Sequence, residues 1–160
     1  MISKVVYTYN NTLNFVNYDK SLLDDCLELF DSNTPQFFAK NERADYKKFL
    51  DNNPDNYKVG FLNEEVVAVF GISIDSQRTR GRITWIMVNP HSKGGGVGTK
   101  MMKYVKEFSI QENLKVIDIA ASHLSSPFFS KFGALTKNTI KDGWGIGMHR
   151  VDMEFTINAN

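Results

Sequence analysis

From Val116 to Ala121 the chain is apolar at every position except Asp118. A run like this is stable as a strand when both of its faces are covered, so it predicts a central strand over Lys115 to Ala121, flanked by sheet neighbours. Upstream of it, Val97, Met101, Val105 and Phe108 recur at intervals of four, four and three residues, which is one apolar face of a helix. Further upstream, Arg82 to Val88 reads as a strand, closed by Asn89-Pro90 because proline has no N–H for a continuing ladder. Strand, helix and strand in that order make one crossover unit, the element around which the rest of the sheet has to be arranged.

Two more strands precede the unit, Tyr57 to Leu62 and Val66 to Ile74, with Asn63-Glu64 as the turn between them. Near the start, Lys4 to Tyr9 and Leu13 to Tyr18 have the character of a hairpin turning at Asn10-Asn11. Ser21 to Asp24 resembles a capping box, and Leu22, Leu23, Cys26, Leu27, Leu29 and Phe30 follow at helical spacing. A second helix is expected from about Asn41, burying Tyr46, Phe49 and Leu50 and stopping at Asn52-Asn53-Pro54. After the central strand come a short helix from about Ser125 to Phe132 and strands at Leu135 to Ile140 and Met148 to Ile157, the two flanking a loop at Lys141 to Gly145. The order is that of an α/β (α+β) fold: a mixed, mainly antiparallel sheet of about seven strands with about four helices. No repeat or linker interrupts it, so residues 1–160 are expected to form a single domain.

Composition mainly excludes. A formal charge of +1 gives no electrostatic footprint for nucleic acid or an anionic membrane. A single cysteine, Cys26, rules out an intramolecular disulfide and a cysteine-rich zinc site, and three dispersed histidines give no argument for a metal. The opening MISKVVYTYNN lacks the apolar core of a signal peptide, and no apolar run reaches the length of a membrane span. A cytoplasmic location is the expectation.

The stretch SKGGGVGTK, just ahead of the crossover helix, is costly for folding, because glycine disfavours a helix start. It is not a P-loop: Gly98-Thr99-Lys100 transposes the lysine and hydroxyl, and the spacing from a first glycine fails. It is a poor dinucleotide fingerprint too, lying five residues past its strand in mid-chain. From the glycines alone, a flexible loop and a phosphate cradle both stay open. In favour of the cradle, successive amides at a helix N-terminus converge on an anion, and glycines let a diphosphate approach the main chain.

Taken with its flanks, TWIMVNPHSKGGGVGTKMM resembles the acetyl-coenzyme A signature of the GNAT superfamily of N-acetyltransferases. That signature is a strand ending Val-x-Pro, then Arg or Gln, two residues, Gly, one residue, Gly or Ala, then a helix. Val88, Pro90, Lys93, Gly96 and Gly98 stand at those positions, with lysine replacing the usual Arg or Gln. Downstream, DIAASHLSSPFFSKFGA resembles the second hallmark through Ala121-Ser122, Ser125, Phe128-Phe129, Lys131 and Gly133. LFDSNTPQFFAKNE and GWGIGMHRVDMEF look like an unassigned bacterial branch of the same superfamily, so the resemblance spans most of the chain.

The resemblance implies a sheet whose one parallel pair splays around acetyl-CoA, used as co-substrate without a metal. It implies cofactor contacts at Met87, Val88, Lys93, Gly94, Gly95, Gly96, Val97, Gly98, Thr99, His123 and Phe129. Asp118 falls where members often carry a catalytic glutamate, and is the candidate base; a structural carboxylate is the alternative. The usual general-acid tyrosine is Phe129 here, which has no proton to give; water or a hydroxyl of Ser125, Ser126 or Ser130 would replace it. Core packing is the expected role of Phe128. Asn33, Phe37 and Phe38 are expected to frame the acceptor, with Asp75 to Arg80 and Gly143-Trp144-Gly145 as rims and Asp31, Glu42 and Asp75 as nearby carboxylates. The implied activity is direct acetyl transfer to a primary amine, on a small molecule or a protein N-terminus. The alternative is a coenzyme A-binding sensor without turnover. The chain is expected to be a monomer or homodimer.

Overall fold

The computed structural model describes residues 12–34, 38, 40–92 and 95–158. The proposed partner strand Lys4 to Tyr9 lies outside them. Among the described residues, seven strands form one sheet: β1 (Asn14–Asn17), β2 (Tyr57–Leu62), β3 (Glu65–Ile74), β4 (Arg80–Val88), β5 (Val116–Ser122), β6 (Leu135–Gly145) and β7 (Met148–Thr156). Their order is β1-β2-β3-β4-β5-β7-β6, antiparallel everywhere except the β4–β5 pair. Four α-helices accompany them: α1 (Leu23–Ser32), α2 (Glu42–Asp51), α3 (Val97–Gln111) and α4 (Ser126–Ser130). The apolar run of β5 lies where a strand covered on both sides belongs, between β4 and β7.

Local chemistry accounts for most boundaries. Asn63 and Glu64 both take positive φ, 50° and 67°, the mirror-image turn that matches strand twist in a tight hairpin. The start of α1 differs from the capping-box expectation. A 3-10 turn (Lys20–Leu22) comes first, and Asp19 rather than Ser21 caps it, accepting from the Ser21 N–H at 2.7 Å. Aspartate is at least as good a cap as serine, and the turn moves the α-helical start to Leu23. At the other end, Lys141 to Gly145 belongs to β6, and the chain reverses at Ile146-Gly147, with φ of 80° at Gly147. Ile140 pairs with Arg150 and Gly145 with Met148, so Lys141 to Trp144 bulge out opposite His149 alone. The bulge is tied down by the Asp142 N–H, donating to His149 Nδ1 at 3.0 Å, and by the Gly147 N–H, donating to Asp142 Oδ1 at 2.8 Å.

Two hydrophobic layers cover the sheet. One joins α3 and α4 to β3, β4, β5 and β7 through Phe70, Ile83, Met101, Val105, Ile117 and Phe129. The other joins α1 and α2 to β2, β3 and β4 through Phe30, Tyr46, Leu50, Tyr57, Val69 and Met87. Within the second layer runs a buried chain of polar atoms. Tyr57 donates its hydroxyl to the Trp85 carbonyl at 2.8 Å, which leaves its oxygen to accept from Tyr46, also at 2.8 Å. Cys26 is buried in the same layer.

Burial favours the neutral form of all three groups. It pushes the Cys26 thiol up to about 11 from 9.0, and Tyr46 and Tyr57 above their ordinary 10.0. Because the folded values exceed the unfolded ones, their contribution to stability is complete below pH 9 and is lost as pH rises through the alkaline range. Denaturation midpoints are therefore expected to fall steadily above about pH 9. Cys26→Ala should make the fall shallower between pH 9 and 11, the window set by the thiol's two values.

Candidate active-site cleft

β4 and β5 pair only at their first residues: Arg80 with Val116, Gly81 with Ile117, Arg82 with Asp118. Beyond that point they part, and a cleft of about 860 Å³ opens between them. The cause lies in β4. Gly71 pairs with Thr84 and Val69 with Met87, so Phe70 faces two residues, Trp85 and Ile86. Trp85 takes φ of 44°, a conformation that costs a bulky side chain on the order of 1–3 kcal/mol. The hydroxyl of Tyr57 on its carbonyl, and its ring among Phe30, Phe38, Tyr46 and Phe49, hold it there. Past the bulge, the Asn89 N–H donates to the Val67 carbonyl at 2.7 Å. By alternation along the strand, Met87 and Asn89 turn their backbone groups to β3, while Ile86 and Val88 turn theirs to the cleft.

One wall of the cleft is the start of α3, where Gly96, Val97, Gly98 and Thr99 line it. Gly96 adopts the left-handed conformation, φ 77°, and its carbonyl accepts the first helical bond, from Lys100 N–H at 3.0 Å. The N–H groups of Val97, Gly98 and Thr99 therefore have no intrahelical acceptor. A Cβ on Gly98 would lie 2.8 Å from the Phe128 ring, so that glycine makes room for a side chain as well as for main-chain access. Gly95 does not line the cleft, and its N–H donates to the Ser92 carbonyl at 3.2 Å. Lys93, Gly94 and Phe37 lie outside the described residues.

The opposite wall is the end of β5 and the start of α4. Ser122 and Ser125 bond reciprocally, each backbone N–H to the other's hydroxyl, at 3.0 and 3.1 Å. The two phenylalanines exchange their expected environments. Phe129 is 3% exposed and belongs to the core, whereas Phe128 is partly buried against Gly98. Both touch the cleft. His123 does not line it; its Nδ1 accepts the His149 N–H at 3.1 Å.

At the other end the cleft meets the aromatic layer. Asn33, Phe38 and Glu42 line it from the α1–α2 side, Arg82, Thr84 and Trp85 from β4, and Trp144 from the β6 bulge. Asn33 is buried and fixed by its amide on the Leu29 carbonyl at 2.9 Å. Trp144 donates its indole N–H to the Ala121 carbonyl at 2.9 Å, and Arg150 sits 5.2 Å above its ring. Trp144 is among the rim residues expected from the sequence, whereas Trp85 is not, because a Trp-containing strand gives no sign that it will bulge.

Asp118 does not line the cleft. Both its oxygens accept from Arg80, Nη2 at 2.7 Å and Nε at 3.1 Å, and Arg80 reaches Glu154 as well, at 2.9 Å. These bonds, Asp118 first, hold the Arg80 guanidinium above its ordinary range. Of the other carboxylates considered, Asp31 pairs with Arg43, and Asp75 closes its own turn by accepting from the N–H groups of Thr79 and Arg80. Glu42 is the acid on the cleft wall among the described residues. Those residues contain no cluster that could hold a metal ion and no helix long and apolar enough to cross a membrane.

The model of the Acetyltransferase (GNAT) family matches residues 24–134. Solved structures share the fold. An aminoglycoside 6'-N-acetyltransferase complexed with coenzyme A has a TM-score of 0.71 at 13% identity, covering 92% of this chain and 98% of that one. The ribosomal-protein-S18-alanine N-acetyltransferase of Escherichia coli has a TM-score of 0.75 at 10% identity, covering 92% and 95%. An aminoglycoside 6'-N-acetyltransferase of Enterococcus faecium has a TM-score of 0.69 at 13% identity, covering 92% and 98%. No curated protein matches the chain by sequence.

Proposed function

The chain belongs to the acetyltransferase (GNAT) family, and on that premise we propose that it is a single-domain, acetyl-CoA-dependent N-acetyltransferase acting directly on a primary amine. The observation that carries the reading is the parting of β4 from β5 beside a helix whose first-turn N–H groups have no helical acceptor. Acetyl-CoA supplies an activated acetyl thioester; transfer to the amine forms an amide and releases the thiol.

In this reading the N–H groups of Val97, Gly98 and Thr99 hold the pyrophosphate, aided by the helix dipole. The backbone groups of Ile86 and Val88 meet the pantetheine arm, which refines the expectation of Met87 and Val88. The acceptor enters from the end lined by Asn33, Phe38, Glu42 and Trp85. An ammonium nitrogen must shed one proton before it attacks, and a second by the time the amide is formed. Glu42 is assigned the first, directly or through water, and the second ends on the departing sulfur. Asp118, chelated by Arg80, anchors the strand pair at the point where it parts.

Isothermal titration with acetyl-CoA tests the binding half, and thiol release across a panel of amines tests the transfer half. Absence of binding up to the millimolar range ends the proposal. Tight binding with no turnover on any amine favours a coenzyme A sensor, the reading that Phe129, lacking a hydroxyl, would suit. Gly96→Ala is expected to weaken acetyl-CoA about tenfold, because the alanine leaves the left-handed conformation in the free protein and must be drawn back into it, at roughly 1–2 kcal/mol, for the first-turn N–H groups to converge. The same titration measures it.

A further inference from the structure

Of the five arginines, four are paired. Arg43 meets Asp31 and Arg78 meets Glu112 at the surface. Arg80 takes Asp118 and Glu154, and Arg150 takes Asp152 at 2.7 Å. The Arg82 side chain has no hydrogen-bond or ion-pair partner among the described residues, although in the β4–β5 register it stands directly opposite Asp118. The carboxylate it faces has both oxygens committed to Arg80. Arg82 is exposed and lines the acceptor end of the cleft.

The neighbouring charges sharpen what such a cation is for. Alternation puts Arg80 and Arg82 on one face of β4, and the strand pairing puts Asp118, Glu154, Asp152 and Arg150 on the same face of β5 and β7. The three carboxylates there are each bonded to an arginine. A polycationic acceptor therefore finds no uncommitted carboxylate on that face, whereas an anionic group finds a guanidinium with its planar fork open. On the α2 side Glu42 offers the opposite charge, and Phe38 and Trp85, stacked 6.1 Å apart at 25°, offer an apolar surface.

We infer that the acceptor is a small amine that also carries a carboxylate, of the α-amino-acid type, with Arg82 binding the carboxylate and an apolar side chain resting on Phe38 and Trp85. This rests on the acetyl-transfer reading and assigns the substrate class of the same cleft. Arg82 is a specificity-determining residue here and takes no part in the proton transfers.

Three acceptors that differ only in the anionic group test it: phenylalanine, phenylalanine amide and phenethylamine, with spermidine as the polycation. Thiol release from acetyl-CoA is expected to show kcat/KM for phenylalanine at least about tenfold above the other three. Arg82→Gln should remove the advantage by raising KM for phenylalanine alone, and Arg82→Lys should restore part of it. Equal rates for acid and amide, a preference for spermidine, or an Arg82→Gln enzyme that still prefers the acid would overturn the assignment while leaving acetyl transfer intact. Failure to bind acetyl-CoA removes both. If acetyl-CoA binds and no amine turns over, calorimetry of phenylalanine against the coenzyme A-loaded protein decides. Binding lost in Arg82→Gln upholds the carboxylate site, and no binding to the parent protein sinks it.

Discussion

Gly71→Val is expected to destabilise the protein by about 3 kcal/mol or more and to abolish acetyl-CoA binding in whatever fraction stays folded. Even a Cβ at that position would lie 2.3 Å from Thr84 Oγ1 and 2.7 Å from the Tyr57 ring. Neither neighbour has room to yield. Thr84 is the last paired residue before the bulge, and Tyr57 is fully buried, with its hydroxyl fixed to the Trp85 carbonyl. The strain therefore passes to the bulge that separates β4 from β5. Urea denaturation gives the stability change, and calorimetry gives the affinity. Tyr57→Phe is the milder companion: it leaves the Trp85 carbonyl and Tyr46 without their partner, at a cost of about 1–3 kcal/mol. A Gly71→Val protein with parental midpoint and affinity would show that the bulge does not depend on this packing.

Glu42→Gln is expected to lower kcat/KM for acetyl transfer about a hundredfold, the lower end of what a positioned proton acceptor contributes. Acetyl-CoA affinity should stay close to the parent's, because Glu42 lines the cleft from α2, the side proposed for the acceptor, and not from the first turn of α3. Asp118→Asn provides the contrast. Its carboxylate is half-exposed and already serves Arg80, so its loss is expected to cost less turnover than the loss of Glu42. A sharper fall in Asp118→Asn than in Glu42→Gln would return the base to β5. Steady-state kinetics with a saturating amine separates the two.

The sequence made the order of elements legible because each is punctuated locally. Asn63-Glu64, Asn52-Asn53-Pro54 and Asn89-Pro90 mark turns and stops whose conformations follow from the residues themselves. The glycine signature likewise marks one wall of the cleft, where Gly96 and Gly98 stand. Three features were not legible, and each depends on distant partners. The bulge at Trp85 exists because Gly71 and Tyr57 are placed to admit and hold it. The pairing of Asp118 with Arg80 rather than Arg82 is a choice between two cations on one face that alternation cannot make. The exchange of Phe128 and Phe129 is a rotation of about 100° on a five-residue helix, too short for a periodic pattern to fix. The loop expected at Lys141 to Gly145 failed differently: Asp142-Gly143 has turn chemistry, but the reversal is made four residues later, by Ile146-Gly147.

The two hydrophobic layers described above have no side chain in common. One backs the first turn of α3, and the other backs the acceptor end. Substitutions that are well separated and share no partner combine nearly additively, so drift in α1 and α2 leaves the tolerance of α3 and α4 intact. A lineage with this arrangement can retune what it acetylates by rebuilding α1 and α2 while its grip on the donor stays under unchanged selection. The same partition is a practical instruction for directed evolution: libraries aimed at a new amine belong in the α1–α2 layer and at Arg82, with the α3 side held fixed.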